Sequence, residues 1–345
     1  MLDSLGTTWL LLIALATVLV SGTICVRAMT IGRRLGVLDL PDGRRKIHPA
    51  ATPLVGGLAV MLPVLAMALV LAAFTVFTPF YLTLAAAGVC CLLLGLRDDR
   101  AHIRPLYRLL LSLLLAWLAL LAVPALEVTF FRFSVSGEAL FLDALAPIFT
   151  ILCIVGLQNA VNMADGKNGV VIDLCLFWTA DLALFAPDHL RPMLLALAAA
   201  LSVTLVFNLR GKLFLGDSGS YALSFLFALL AIYVYGVGFV RLPADLVALW
   251  FLIPVVDCLR LMAKRALRGG SPFASDREHL HHIIYRRLPW SWGLPLYLGL
   301  AGLPGLLASI WPNTTMAWGA VALVCYAVLI AWPSRARKEA GLASR

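Results

Sequence analysis

Charged side chains are scarce in this chain of 345 residues. Asp, Glu, Lys and Arg together make up 13% of it, whereas 62% of it is hydrophobic. An ordinary soluble domain carries about 25% charged residues, so this composition excludes that class. Apolar runs of roughly 18–25 residues recur along the whole length, as bilayer-spanning helices require. The sequence therefore predicts an all-α polytopic membrane protein, with residues 1–345 forming one integral membrane domain.

Metal-type cysteine spacing and a signal sequence are also missing. The seven cysteines lie almost all inside apolar runs, which predicts small core residues rather than disulfides or zinc ligands. No Lys or Arg precedes the first apolar run, 8–26, whereas basic residues follow it. A spanning helix is therefore favoured over a signal peptide.

Eleven membrane spans are predicted from the apolar runs, which would place the two termini on opposite sides. Their ranges are 8–28, 54–77, 79–96, 107–125, 143–158, 170–186, 192–208, 219–239, 243–262, 292–310 and 316–333. All but three of the 27 Lys and Arg residues fall on one side of these spans. This asymmetry predicts that the basic face is cytoplasmic, with the N-terminus outside and the C-terminus inside. It also explains the net charge of +9 without a nucleic-acid partner.

Five polar clusters interrupt the apolar pattern, and all of them fall on the predicted cytoplasmic face. They occupy residues 39–48, 98–100, 159–169, 212–220 and 271–282. A protein that only anchored something would not need so many polar clusters at one depth. The sequence therefore predicts an active site on the cytoplasmic face.

The cluster at 159–169 reads Asn-Ala-Val-Asn-Met-Ala-Asp-Gly-Lys-Asn-Gly between two long apolar runs. Asp and Asn supply oxygen ligands for a hard cation, and glycines let backbone N–H groups approach a ligand closely. The same letters also form an ordinary helix stop followed by a turn. Both interpretations stay open for this segment taken alone.

Asp98 and Asp99 directly follow an apolar run. Adjacent carboxylates repel each other, and keeping both ionised at a low-dielectric boundary requires a cation nearby. They are predicted to hold a divalent metal or to act as a base beside one. The alternative is an acidic helix end that Arg97 and Arg100 neutralise.

Asp217 lies in Gly-Asp-Ser-Gly-Ser at 216–220, where another apolar run begins. An Asp at a helix start is often only an N-cap. Between glycines and close to Lys212, it could instead carry a metal whose other ligands are phosphate oxygens. The positive end of the helix would favour the same phosphate.

His279, His281 and His282 lie in the last polar cluster. Their spacing is not the i, i+4 arrangement of a zinc protease helix, so diphosphate binding is favoured over zinc. A solvated loop is the alternative. Asp257 lies within a predicted span, which makes it a functional candidate by default. Arg260 is one turn away, so a structural ion pair explains Asp257 at least as well.

Taken in order, these clusters resemble the polyprenyl-phosphate N-acetylhexosamine-1-phosphate transferase family, from about residue 39 to residue 285. The matching blocks are Thr-Pro-Leu-Val-Gly-Gly at 52–57, the Asp pair, Asn-x-x-Asn-x-x-Asp-Gly, Phe-x-Gly-Asp-Ser-Gly and the His motif. The form of the last block, Ser-Pro-Phe-x-x-Asp-Arg-x-His-x-His-His, is closer to the branch that starts O-antigen, enterobacterial common antigen or teichoic-acid linkage synthesis.

The resemblance implies a Mg²⁺-dependent enzyme (Mn²⁺ being the alternative metal) in the bacterial inner membrane. It would move GlcNAc-1-phosphate, or another N-acetylhexosamine 1-phosphate, from a UDP-sugar to undecaprenyl phosphate and release UMP. A homodimer is compatible with the family.

Residue roles also follow from the resemblance. The catalytic residues would be Asp98, Asp99, Asp165, His281 and His282. Asp217 and Asn162 would hold the metal. Asn168, Asn208 and Phe214 would bind uridine, Arg277 and His279 the diphosphate or sugar, and Lys46 and His48 the acceptor.

Two residues depart from the family pattern. His102 stands where this branch often has a third Asp, and Asn168 stands where bacterial members usually have Asp. Three rival functions are a phospho-MurNAc-pentapeptide transferase, a CDP-alcohol phosphotransferase and a membrane transporter. The CDP-alcohol motif is absent from the sequence, and a transporter predicts polar residues near mid-bilayer rather than at one interface.

Overall fold

The structure, a computed structural model, describes residues 6–41, 50–271 and 278–332. The α-helices within them are α1 (Thr7–Val26), α2 (Ala28–Leu35), α3 (Gly56–Phe74), α4 (Thr78–Arg100), α5 (Pro105–Ala122), α6 (Ala146–Ala164), α7 (Val170–Phe185), α8 (Arg191–Leu209), α9 (Gly216–Gly238), α10 (Ala244–Leu267), α11 (Leu280–Tyr285), α12 (Trp290–Ala301), α13 (Leu303–Ile310) and α14 (Thr315–Ala331). Two short hairpins complete the described fold: β1 (Leu38–Asp39) with β2 (Thr52–Pro53), and β3 (Phe130–Arg132) with β4 (Ala139–Phe141).

Nine helices of the described ranges are long and apolar enough to cross a membrane. A tenth candidate span is the pair α12 and α13, which together fill the predicted run 292–310 but are bent by 40° where they meet. Gly302 and Pro304 lie at this break, and proline cannot donate the backbone hydrogen bond that a continuous helix needs. The prediction of an all-α polytopic membrane protein is confirmed.

The eleventh predicted span, 170–186, corresponds to α7. This helix has 16 residues, which gives a length of about 24 Å at the usual rise per residue. It is therefore shorter than the other candidate spans, and its crossing of the bilayer stays a prediction.

Helix α9 is the centre of the bundle. It is buried over 83% of its apolar window, compared with 17% for α1. Helix α9 packs against α3, α4 and α6, so protein rather than lipid covers most of its apolar surface. Gly57 of α3 and Gly95 of α4 lie very close to the first turn of α9. A Cβ atom on either glycine would overlap the backbone around Ser218.

The segment leading into α9 is held by backbone hydrogen bonds to the start of α3. The N–H groups of Gly56 and Gly57 donate to the carbonyls of Phe214 and Leu215, both at 2.9 Å. The N–H of Phe214 donates to the carbonyl of Pro53 at 3.0 Å. The polar clusters around β2 and the start of α9 are therefore brought together at one end of the bundle.

The hairpin formed by β3 and β4 lies in the predicted outer loop 126–142, where the sequence indicates a small hairpin. Phe130 pairs with Phe141, and Arg132 pairs with Ala139. The Arg132 guanidinium donates to two carbonyls at the end of α9, those of Phe239 and Val240, at 3.2 and 3.0 Å. This hairpin therefore covers the end of α9 that lies opposite the polar clusters.

Replacing Gly57 with Ala tests the close approach of α3 to α9. The added methyl group would meet the backbone of Gly219, and backbone cannot rotate out of the way as a side chain can. We expect a loss of about 2 kcal/mol or more, at the upper part of the range for overpacking, seen as a lower thermal unfolding midpoint in detergent.

Gly156→Ala is the matched control, because Gly156 lies inside α6 with open space where its Cβ would be. This control should melt at or slightly above the wild-type temperature, since Ala favours a helix over Gly. Equal melting of the Gly57 variant and the wild type would contradict the packing described for α9.

Candidate active site

Asp99 caps the first turn of α9 from the end of α4. The backbone N–H groups of Asp217 and Ser218 donate to its two carboxylate oxygens at 2.9 and 3.0 Å. A carboxylate is favoured there because the first N–H groups of a helix lack intrahelical acceptors and carry partial positive charge. Gly216 precedes these residues at φ +77°, and a Cβ on it would lie 2.8 Å from Asp99. Residue 216 must therefore be a glycine for Asp99 to reach the start of α9.

Asp98 is buried and forms an ion pair with Arg108 of α5. It also accepts a hydrogen bond from the backbone N–H of Ile103 at 2.7 Å, and the Nδ1 atom of His102 lies 3.6 Å from it. The cation expected from the sequence was Arg97 or Arg100. The structure instead supplies Arg108 from the next helix, where its guanidinium also lies 5.8 Å from the centre of the Tyr221 ring.

Asp217 meets Asn162 of α6 beside this pair. The Asn162 amide donates to Asp217 at 2.7 Å and to the Ser220 hydroxyl at 2.9 Å. Asp217 also interacts electrostatically with Asp98 and Asp99. The structure thus brings together the two predicted metal ligands and the predicted Asp pair. Among the described contacts, Arg108 is the one cationic side chain beside the three carboxylates of Asp98, Asp99 and Asp217.

Asp165 follows the last residue of α6. Burial, together with the nearby charges of Asp217 and Asp99, raises the pKa of the Asp165 carboxyl to about 8. A carboxyl with this pKa is mostly protonated at neutral pH and can donate a hydrogen bond. Asp165 therefore adds little negative charge to the cluster.

The loop after Asp165 is held by contacts from two helices, α8 and α12. The buried amide of Asn208 accepts from the N–H of Gly169 at 2.7 Å and donates to the carbonyl of Leu213 at 3.1 Å. The Trp290 indole donates to the carbonyl of Asn168 at 2.8 Å. Asn208, predicted to contact uridine, thus joins the two loops at 165–169 and 210–215 through both ends of its amide. Phe214, from the second of these loops, is half-buried.

The His motif packs directly on this loop. His281 is buried, and a Cβ on Gly166 would overlap its ring, so the Asp-Gly turn requires glycine at that place. Burial lowers the pKa of His281 well below its usual value, and the neighbouring His282 and His279 lower it further. Its Nε2 atom has no hydrogen-bond partner among the described residues. His281 is therefore a neutral ring facing the 165–169 loop, and His282 packs against it with ring centres 4.2 Å apart.

Asp257 anchors the His motif from α10. Arg260 donates to it at 2.8 Å, which confirms the structural ion pair expected from the sequence. Its other partners could not be predicted from sequence: they are the Tyr326 hydroxyl at 2.8 Å, the His279 ring at 2.9 Å and the Leu280 N–H at 3.1 Å. Asp257 thus joins α10, α11 and α14 beside the predicted site.

Three predicted site residues, Lys46, His48 and Arg277, lie outside the described ranges. Sequence reasoning missed Arg108, Tyr326 and the anchoring role of Asp257. For Arg108 a signal was available, because a charge one turn inside an apolar helix usually has a buried partner.

The comparisons with known proteins agree with this arrangement. Residues 79–235 match the sequence model of glycosyl transferase family 4. We call residues 79–235 the family 4 segment. The family 4 segment contains the whole carboxylate cluster with Asn162 and Arg108, whereas Asp257 and the His motif lie beyond it.

Curated relatives extend the similarity over most of the chain. A protein of Bacillus subtilis (strain 168), named probable undecaprenyl-phosphate N-acetylglucosaminyl 1-phosphate transferase, is 28% identical over 79% of this chain and 75% of its own length. Proteins named undecaprenyl-phosphate alpha-N-acetylglucosaminyl 1-phosphate transferase are 29% identical in Yersinia pestis and 26% identical in Escherichia coli (strain K12). Each covers 75% of this chain and 72% of its own length. The family 4 match and these relatives support a transferase enzyme.

The ion pair between Asp98 and Arg108 can be tested by replacing Arg108 with Gln. The change would leave the Asp98 carboxylate buried without its cation, which costs roughly 3–5 kcal/mol for buried pairs. We expect a clear fall in the thermal unfolding midpoint, and partial recovery in the double variant Asp98→Asn, Arg108→Gln, because no unpaired charge then stays buried.

Arg191→Gln provides the control, because Arg191 pairs with Asp188 at 2.7 Å while both side chains are about two-thirds exposed. An exposed pair contributes about 0–1 kcal/mol. If the two single variants lost the same stability, the burial assigned to the Asp98 pair would be wrong.

Proposed function

We propose that this protein transfers N-acetylglucosamine 1-phosphate, or another N-acetylhexosamine 1-phosphate, from a UDP-sugar to undecaprenyl phosphate and releases UMP. The proposal is carried by one observation: a carboxylate cluster and a His motif meet at one end of a membrane helix bundle. The names of the relatives support both the lipid acceptor and the sugar.

The depth of the cluster suits a lipid phosphate acceptor. Asp98 and Asp99 lie in the last turn of α4, and Asp217 lies in the first turn of α9. These helix ends would lie where an apolar span meets the headgroup region. A polyprenyl chain could then stay in the bilayer while its phosphate reaches the carboxylate cluster.

The donor set fits a divalent cation. Asp217 with Asn162 offers one carboxylate and one amide, and Asp98 and Asp99 increase the local negative charge. The described residues hold no group of three His, Cys, Asp or Glu side chains that would bind a metal by themselves. Mg²⁺ suits such a partial set, since it commonly uses one or two carboxylates and completes its shell with substrate phosphates. When bound, the cation would neutralise charge on the diphosphate.

The proposed reaction forms a bond between an oxygen of the acceptor phosphate and the β-phosphorus of the UDP-sugar. The bond from that phosphorus to the bridging oxygen breaks, and UMP leaves with the electron pair. The protein's task is then mainly to position the two phosphates and offset their charge. Because Asp98 and Asp99 already accept hydrogen bonds or pair with Arg108, their contacts favour a positioning role over proton removal.

The remaining residues would bind the donor. A protonated Asp165 could donate to an oxygen of the nucleotide, while Asn168 and Phe214 would face the uracil. His279, His281 and His282, with Arg277, would hold the diphosphate or the sugar, and Lys46 and His48 would lie near the acceptor. The bacterial cytoplasmic membrane, with the site on its cytoplasmic face, is the proposed location, and a homodimer stays a prediction.

The reaction itself is tested by UMP release from UDP-GlcNAc with purified protein. Release should require both undecaprenyl phosphate and Mg²⁺. Release with another UDP-N-acetylhexosamine but not with UDP-GlcNAc would keep the reaction class and change the sugar. If folded protein released no UMP from any nucleotide sugar, the proposed function would be rejected.

Asp217→Asn tests the metal assignment. The amide keeps the shape of the side chain and removes its charge, so we expect UMP release to fall about 100-fold or more, since even groups that only support metal ligands contribute 10–100-fold. Asp188→Asn, at the opposite end of the bundle, is the matched control and should leave turnover unchanged. Wild-type activity in the Asp217 variant would remove this residue from the metal site.

A further inference from the structure

Asp257 is surrounded by more hydrogen-bond donors than a simple ion pair requires. One carboxylate oxygen accepts from Arg260 and from the Tyr326 hydroxyl, both at 2.8 Å. The other accepts from the His279 ring at 2.9 Å and from the backbone N–H of Leu280 at 3.1 Å. Arg260 also donates to the Tyr326 hydroxyl at 2.7 Å, which closes a ring of contacts between α10 and α14.

The carboxylate decides which nitrogen of His279 carries the proton. An ionised carboxylate can only accept, so the His279 nitrogen that faces it, Nδ1, must be the donor. The guanidinium of Arg260 on the other oxygen favours the ionised form of Asp257. The Nε2 atom then lies on the opposite edge of the ring, away from Asp257, and is the nitrogen left for a ligand.

His279 is linked to the proposed donor site through the ring of His281. Its ring lies parallel to that of His281, with an interplanar angle of 5° and ring centres 5.6 Å apart. His281 in turn packs on Gly166 in the loop that follows Asp165. The backbone of the motif is fixed by the same carboxylate through Leu280, the first residue of α11.

We infer that Asp257 is a positioning residue for the sugar-nucleotide diphosphate, acting by holding His279 with Nδ1 protonated and Nε2 turned toward the ligand. This inference rests on the proposed function for the identity of the ligand. It assigns to α10, which lies outside the family 4 segment, a role in donor binding that is separate from acceptor binding.

The variant Asp257→Asn separates charge and hydrogen bonding from shape. An amide offers one accepting oxygen, so two of the four donors around Asp257 lose their acceptor. The NH₂ group is least favourable beside the Arg260 cation and would therefore face His279 and Leu280. His279 would then have to accept at Nδ1 and move its proton to Nε2.

The first test is the protonation of His279 in the ¹⁵N NMR spectrum of protein labelled at its six histidines. The His279 signals are assigned by their loss in His279→Gln. We expect a protonated Nδ1 in the wild-type protein and a proton moved to Nε2 in Asp257→Asn. A bare Nδ1 in the wild type would overturn the inference whatever the variant does, so the test does not depend on the variant's folding.

The second test is steady-state kinetics with UDP-GlcNAc and undecaprenyl phosphate. In Asp257→Asn we expect the KM for UDP-GlcNAc to rise about 10–100-fold, as for other groups that orient a ligand-binding His. The KM for the lipid and kcat should stay within about threefold, because the lost contact belongs to donor binding rather than to the transition state. Equal rises in both KM values, or a fall in kcat alone, would overturn the inference.

Tyr326→Phe is the matched control. It removes one neutral donor to Asp257 and keeps both the carboxylate and its contact with His279, so the KM for UDP-GlcNAc should change less than about threefold. A rise as large as that of Asp257→Asn would contradict the inference, because it would show a general loss of structure around α14. Failure of the proposed function is distinct: the NMR result would stand while no variant released UMP.

Discussion

The first turn of α9 is the constraint on which the rest of the structure depends. A helix leaves its first N–H groups without intrahelical acceptors, and within a membrane bundle such groups must find partners in the protein. Here Asp99 accepts two of them, so the end of α4 must lie against the start of α9. Gly57 and Gly95 allow the backbones to approach that closely. The same turn carries Asp217, and the contacts that stabilise the helix start therefore also fix the predicted metal ligand.

Charge balance links this packing to chemistry. The carboxylates of Asp98, Asp99 and Asp217 lie close enough to interact, and Arg108 pairs with only one of them. Like charges in a partly buried place are unfavourable unless protons or cations offset them. Asp165 avoids adding to this charge because its pKa is raised to about 8. The negative charge of this cluster suits the divalent cation proposed for the site.

Much of the fold and of the site's composition could be predicted from the sequence, because both depend on local patterns. Apolar runs mark the helices, and polar residues at their ends mark one face of the membrane. Partners across long sequence distances could not be predicted. Arg108 replaced the expected Arg97 or Arg100 because helix packing, not sequence proximity, decides which cation reaches Asp98. Asn208 likewise joins two loops that only the folded bundle brings together.

The described site has two parts that are supported from different helices. The carboxylate cluster is held by α4, α5, α6 and α9, whereas the His motif is held by α10 and α14 through Asp257. The two parts meet at the loop after Asp165, where Gly166 packs on His281. A ligand that contacts both parts must therefore lie along this loop. The proposed reaction, which joins a nucleotide sugar to a lipid, requires two chemically different phosphates to be bound, and separate supports would allow each phosphate to be positioned without moving the other.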